Sequence, residues 1–367
     1  MRVLHFFKNY FPPTHGGIEQ LVNQIVHGID GIEFVVLTGS HTRELVDDVD
    51  DGVRVVRAPE LFRVSTAPIA PSWHSWIKRL SPDVVHVHMP NPTGELAVLT
   101  SRTPARVVAS FHAEIVRSPI VGAGYRAFLP AFWRKAHTVI AGSPPMLSTA
   151  AELRPVRDRA VVVPYGIDPD EWSVRPPLAD EIRARYPGPL VFFMGVLRHY
   201  KGAHVLVEAM RDVDATLLLA GEGPERGEVT EAISRSGVAG KVEMLGAISN
   251  EERVAYMHAA DVFVLPAVNR AEAFGIVLLQ AMAAGTPVIS TELGTGTSWV
   301  NANDETGLVV PARAARAMAR AIARLLGDDE RRAAMGRAAQ QRVRAHFTLD
   351  GMFASLKTIY ADAAQAR

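Results

Sequence analysis

The sequence predicts an α/β protein built from two doubly wound, Rossmann-like parallel-sheet domains. Three observations predict it. Short apolar runs alternate with amphipathic stretches, the βαβ signature of a parallel sheet covered on both faces. The pattern stops in a proline-dense stretch and then restarts. At 367 residues the chain exceeds what a single hydrophobic core usually supports.

In the first half the strand candidates are 2–7, 33–38, 83–89, 106–111 and 138–141. Strand 2–7 runs through Lys8 and a double proline into Gly16-Gly17, after which Ile18, Leu21, Val22 and Ile25 describe an amphipathic helix. Pro164, Pro169, Pro176, Pro177, Pro187 and Pro189 crowd the next stretch, a density that suits a connection better than an element interior. Strands resume at 189–195, 215–221, 241–245, 261–266 and 287–290. Beyond residue 312 the chain turns helical, with Arg313, Arg316, Arg320 and Arg324 on one side, a solvated face. The last helix, 349–364, shows Leu349, Met352, Phe353, Leu356, Ile359 and Tyr360 at helical spacing and must pack on something. The expected division is 1–166, 167–348 and a returning C-terminal helix, 349–367.

Composition excludes several classes. Lys plus Arg and Asp plus Glu both number 39. Neither half carries the basic surplus of a nucleic-acid binder. With no cysteine there is no disulfide, thiol nucleophile or thiolate-bound metal. The opening apolar run is too short for a signal peptide, and no stretch approaches the roughly 18 residues of a membrane span. The expectation is a cytoplasmic protein, with peripheral contact on the inner membrane face left open. Arg117 to Lys135 mixes aromatics with cations and fits an interfacial helix, but a core helix with a wet edge is preferred.

Two segments seek phosphate. After strand 190–194 comes Gly195-Val-Leu-Arg198-His-Tyr-Lys201-Gly202, two cations at a helix start, where open α/β sheets place ligands. Cations there oppose the helix dipole, and an anion relieves the conflict. Some seventy residues on, Glu272-Ala-Phe274-Gly275-Ile276 enters a helix that carries Gln280. Guanidinium, ammonium and helix-start amides together make a diphosphate clamp. Glu272 is placed to accept bonds from sugar hydroxyls and Gln280 from a ribose. His112 closes strand 106–111 at its carboxyl end, the crevice end in this architecture; Glu114 and Glu19 are weaker candidates. Two signals are declined. Asp48-Val-Asp50 reads as an acidic hairpin loop rather than a metal-chelating pair. His86 and His88 share a strand face, but no third metal ligand stands in register with them.

Together these residues resemble the family-4 (group 1) retaining glycosyltransferases of the GT-B fold, over nearly the whole chain. The likeness is carried by Gly16-Gly17, Asp83-Val-Val-His-Val-His88, Ser110-Phe-His112, Val163 to Asp168, Gly195 to Gly202 and Glu272 to Pro287. The resemblance implies two domains facing a central cleft, with the C-terminal helix packing back towards the N-terminal domain. The C-terminal domain takes the donor and the N-terminal domain the acceptor. Arg198 and Lys201 would bind a donor diphosphate, helped by amides of Gly17, Phe274, Gly275 and Ile276. Glu272 would hold the sugar, His112 would lie beneath it, and Gly246 to Ile248 would contact the base. No metal or cofactor is implied. Two departures stand out: Gln280 replaces a glutamate, and Gly294-Thr-Gly296-Thr-Ser-Trp299 replaces a Gly-Gly-x-x-Glu stretch. The variant resembles the mannosyl- or rhamnosyltransferase branch, which implies a hexose from a GDP-sugar and a glycan or lipid-linked acceptor. A UDP-sugar donor, a sugar-nucleotide epimerase and a non-catalytic nucleotide-sugar-binding subunit remain alternatives. Loss of either cation is expected to lower turnover far more than stability.

Overall fold

The computed structural model describes residues 1–12, 16–64, 67–114 and 119–366, with the backbone alone at 119–123. Two compact units result: Met1–Pro164 together with residues from Asp350 on, and Tyr165–Leu349.

The first unit holds β1 (Arg2–Phe6), β2 (Glu33–Gly39), β3 (Val46–Asp50), β4 (Val53–Ala58), β5 (Phe62–Val64), β6 (Ala67–Ile69), β7 (Val84–Met89), β8 (Arg106–Phe111), β9 (Ala136–Ala141) and β10 (Ala160–Val162). Eight of them form one sheet in the order β10-β9-β8-β7-β1-β2-β4-β3, while β5 and β6 pair separately. The sheet is parallel except at its edge, where β3 runs antiparallel to β4. The acidic pair therefore lies on a strand, and only Asp51 and Gly52, both at positive φ, make the turn. Every residue of β7 is buried, as a two-sided parallel strand requires. The helix Pro119–Lys135 turns Tyr125, Leu129, Phe132 and Trp133 inward. Its aromatics belong to the core, and Arg117 lies outside the described residues. The helix Leu349–Gln365 buries Met352, Leu356 and Tyr360.

The second unit holds β11 (Leu190–Met194), β12 (Thr216–Ala220), β13 (Val242–Gly246), β14 (Val262–Leu265), β15 (Val288–Glu292) and β16 (Gly307–Pro311). All are parallel, in the order β13-β12-β11-β14-β15-β16, the connectivity of a doubly wound sheet. Alternation splits each strand between two cores. Leu190, Phe192 and Met194 join Leu218 and Phe263 on one face, whereas Val191 and Phe193 join Leu217 and Val264 on the other. The proline-rich stretch is not bare connection: it forms the short helices Asp170–Ser173 and Leu178–Arg185, each with a proline at its N-cap, ahead of the first turn. The arginine stripe is also partly corrected. Arg313 precedes the helix Ala315–Leu326 and donates to the Val268 carbonyl at 3.2 Å, while Arg316, Arg320 and Arg324 are exposed on it. The chain enters and leaves this unit side by side, with the Ile167 amide donating to Phe347 O at 2.9 Å and Leu349 to Ile167 O at 3.0 Å.

Candidate active site

In the second unit the site is built at the carboxyl end of β11. Arg198 caps a single 3-10 turn, His199–Lys201, which closes at Gly202 with φ +73°. Only glycine fits there: a Cβ would lie 2.0 Å from the Pro266 carbonyl oxygen. The turn is pinned from the other side by the Val268 amide donating to Tyr200 O at 2.8 Å. These contacts fix the Lys201 stem over Gly195 and bring its Nζ to 2.6 Å from Glu272 Oε2. The two side chains are 15% and 9% exposed, so the pair is screened little by water. Burial alone pulls the Lys201 ammonium down. The Glu272 carboxylate, Tyr200 and the bond to Glu272 outweigh burial and hold its pKa above the ordinary lysine value. Glu272 Oε2 sits close enough for an ion pair but lacks a well-aligned hydrogen bond, which leaves it accepting capacity. Arg198 is exposed and its guanidinium pairs with no described residue.

The Glu272 loop is held from below by the variant stretch. Thr295 Oγ1 donates to Glu272 O at 2.8 Å, and the Gly296 amide donates to Ala273 O at 2.8 Å. A Cβ at Gly296 would come 2.8 Å from the Phe274 ring. Phe274 itself is wedged against Tyr165, Trp299 and Phe347. Gly275, at φ +84°, then starts the helix Ile276–Ala283 with no side-chain cap. The amides of Gly275 and Ile276 therefore lack an intrahelical acceptor, an arrangement that favours an anion. Gln280 stands one turn beyond Ile276, half-buried on the same helix side. At the same carboxyl edge, Gly246 ends β13 at φ +70° and accepts from the Gly221 amide at 2.7 Å, while Ile248 packs on the core. Arg198, Lys201, Glu272, Gly275, Ile276 and Gln280 thus belong to two adjoining loops and the helix they open. Gly246 and Ile248 lie two strands over.

In the first unit Gly16 caps the helix Gly17–Gly28, and Gly17 has open space where a side chain would be. The Glu19 carboxylate folds back over this helix start, and a Cβ at Gly16 would meet its Oε2 at 2.1 Å. His112 lies at the end of β8, only 4% exposed, and it does not act alone. Its Nε2 is 2.8 Å from His88 Nδ1, and His88 Nε2 is 2.9 Å from His5 Nδ1. Tyr360 OH is 3.2 Å from His5 Nε2 and 2.7 Å from His86 Nδ1, and His86 Nε2 is 2.7 Å from Ser110 Oγ. Burial, with the nearby Lys8 charge, pushes the His112 pKa down to about 3. Burial alone pushes His5 to about 3 and is the leading cause that keeps His86 and His88 well below the ordinary histidine value.

This corrects the reading that His86 and His88 lack a third partner in register. His5 pairs with His86 across β1 and β7, and ring nitrogens of the three lie within 4.8 Å of one another. His5 and His88 bond each other, and both His86 nitrogens are taken by Tyr360 and Ser110, so a metal would have to break these bonds. A second group that could hold a cation is His199, His204 and Glu228, exposed at His199 and half-buried at the other two. A cavity of about 330 Å³ bounded by residues 41–43 and 60–63 contains none of the residues singled out above. Sequence reasoning missed His5, Thr295, Gly296 and the pairing of Lys201 with Glu272. For His5 there was a signal, since it alternates with Val3 on a buried strand as His86 does with Val84.

Two family models match the chain: "Glycosyltransferase Family 4" over residues 15–171 and "Glycosyl transferases group 1" over 178–342. The D-rhamnosyltransferase WbpZ of Pseudomonas aeruginosa is 34% identical over 95% of this chain and 92% of its own. O-antigen chain mannosyltransferase C of Escherichia coli is 29% identical over 98% of both. Among solved structures, the sucrose-phosphate synthase of Thermosynechococcus elongatus superposes with a TM-score of 0.82 at 22% identity, covering 100% of both chains. With its two doubly wound sheets and these matches along nearly its whole length, this chain belongs to the group 1 glycosyltransferases and has the GT-B fold.

Proposed function

We propose that the protein transfers a hexose, mannose or a close relative, from a GDP-sugar to a hydroxyl of a glycan, polysaccharide or glycolipid acceptor, with retention at the anomeric carbon. The observation that carries the site assignment is the Lys201–Glu272 pair beside an uncapped helix start. An ammonium has three N–H groups, so Lys201 can keep Glu272 and still donate to a diphosphate oxygen. Glu272 is thereby aimed to accept from sugar hydroxyls. Arg198 and the amides of Gly275 and Ile276 supply the other phosphate contacts. These groups stabilise charge that grows on the diphosphate as the glycosidic bond breaks, the work a divalent ion does elsewhere, and the reaction is proposed to need no metal. The leaving diphosphate is proposed to take the acceptor proton on the same face. In the first unit His112 takes the role the family gives it, against the transferred sugar. Gln280 serves a ribose hydroxyl pair by donating as well as accepting.

The sugar and base rest on the rhamnosyl- and mannosyltransferase relatives. A thermal-shift panel of GDP- and UDP-sugars tests them, because a ligand bound only by the native state raises apparent stability with its occupancy. Selective stabilisation by GDP-mannose or GDP-rhamnose is expected; selective stabilisation by a UDP-sugar would replace the donor. Product analysis of the anomeric configuration, with chelator present, tests retention and metal independence.

A further inference from the structure

Two histidines and two glutamates converge beside the turn that carries Arg198 and Lys201. His199 opens that turn, His204 stands at the start of the helix Ala203–Ala209, and Glu225 and Glu228 lie at the N-cap and in the first turn of the helix Arg226–Ser236. His199 Nδ1 is 3.8 Å from Glu228 Oε2 and 3.9 Å from Glu225 Oε2, and His204 Nδ1 is 4.0 Å from Glu228 Oε1. The two imidazoles stack, with ring centroids 4.9 Å apart and planes 16° from parallel.

Each of these N···O separations is longer than a hydrogen bond, so the groups face a common point rather than close on one another. One ligand atom from each of His199, His204 and Glu228 falls within 4.8 Å of the other two. Ligands around a tetrahedral zinc stand about 3.3–3.6 Å apart, a difference that side-chain rotation can take up. Acidic residues at a helix start serve its dipole, and that alone would account for Glu225 and Glu228. It does not account for two imidazoles stacked over them. Nor does it account for two carboxylates set against each other, like charges that a proton or a cation between them relieves. The backbone holds the set in place. The Glu225 amide donates to Leu197 O at 3.0 Å and the Leu197 amide to Glu222 O at 2.9 Å. This close approach needs Gly223, where a Cβ would lie 2.5 Å from Leu197 O.

We propose that His199, His204 and Glu228, with Glu225 completing the set, bind one divalent ion of the zinc type, which clips the turn after β11 to the two helices behind it. Imidazole nitrogen with carboxylate oxygen suits zinc and its first-row neighbours, whereas magnesium and calcium take oxygen ligands. At neutral pH an imidazole of ordinary pKa is mostly neutral and offers a lone pair, and two carboxylates balance the charge of the ion. The ion is structural. None of its ligands is a residue assigned to the donor, and the site does not rest on the function proposed above.

The test uses full-length protein stripped of metal by a chelator and then titrated with Zn2+ or Co2+. One equivalent of Zn2+ is expected to bind and to raise the thermal midpoint, and Co2+ is expected to give the visible absorption of a tetrahedral site. His204→Ala and Glu228→Gln lie outside the donor loops and are expected to keep the metal-free turnover of wild type. Each should weaken Zn2+ binding by about a hundredfold or more, since even an outer partner of a metal ligand is worth about ten- to a hundredfold. Wild-type protein that binds neither ion would leave a proton between the two glutamates and overturn the proposal. Zn2+ affinity unchanged in both variants would also overturn it, by placing the ion on other groups such as His5, His86 and His88.

Discussion

Arg198 and Lys201 are both cations of the same loop, yet the structure gives them different energetics. Arg198 is exposed and unpaired among the described residues, so Arg198→Ala is expected to leave unfolding free energy within about 0.5 kcal/mol of wild type. If it stabilises the leaving diphosphate, the same change should raise the barrier by roughly 2–4 kcal/mol. Initial rates at saturating donor, read beside urea unfolding, check both halves; unchanged turnover would remove Arg198 from the clamp. Lys201 shares the expectation that its loss lowers turnover far more than stability, but in the structure it has a second role as the partner of Glu272. Its removal strands a buried Glu272, and breaking such a pair from one side costs about 3–5 kcal/mol. The double variant Lys201→Met, Glu272→Gln removes both charges and is expected to regain most of that stability while staying inactive. A single Lys201→Met variant as stable as wild type would show that the pair is solvated in the folded protein.

Among the elements, the 3-10 turn after β11 depends on one residue, Gly202. Gly202→Ala must force a Cβ against the Pro266 carbonyl at a positive φ, and a destabilisation on the order of 2–3 kcal/mol is expected, with donor affinity lost as the turn shifts. Donor affinity retained at full strength would mean that the turn can move without consequence. The strands that carry this loop were readable because a two-sided parallel strand is a continuous apolar run, and Leu190–Met194 is one. Six strands were not, among them β4 and β16, largely apolar runs of six and five residues that periodicity alone does not mark as strands. Val46–Asp50 is nearly all exposed and survives as an edge through its pairing with β4 and the Asp47–Arg54 bridge at 2.7 Å; β5, β6 and β10 span three residues each, too few to show a period. The turn after β11 was legible because Arg198, Lys201 and Gly202 are close in sequence. The support of Glu272 by Thr295, and of His112 by His5 and Tyr360, was not, since those partners are 23, 107 and 248 residues away along the chain and only the packed sheet brings them together.

For the whole molecule, the buried imidazoles set how folding responds to acid. His5 and His112 titrate at about 3 in the folded chain, and His86 and His88 also lie well below 6.5, the ordinary histidine value. A group with a depressed folded pKa contributes stability that is present above its unfolded pKa and is lost as pH falls through the window between the two. One buried acid works in the opposite direction. Burial raises Glu95 to about 7 despite bonds from the Asn91 amide and the Tyr125 hydroxyl, so between its ordinary 4.5 and that value it is protonated only when folded. Between pH 5 and 6 the unfolded chain therefore binds about three more protons than the folded one at these five groups. At about 1.36 kcal/mol per proton per pH unit, stability should fall by roughly 4 kcal/mol for each unit of acidification. A domain with a total stability of about 5–15 kcal/mol cannot sustain that for long, so cooperative unfolding is expected before the ordinary carboxylates have titrated. Urea unfolding at pH 7, 6 and 5 measures the slope directly. A midpoint that does not move over that range would mean that the buried histidines take up protons while folded.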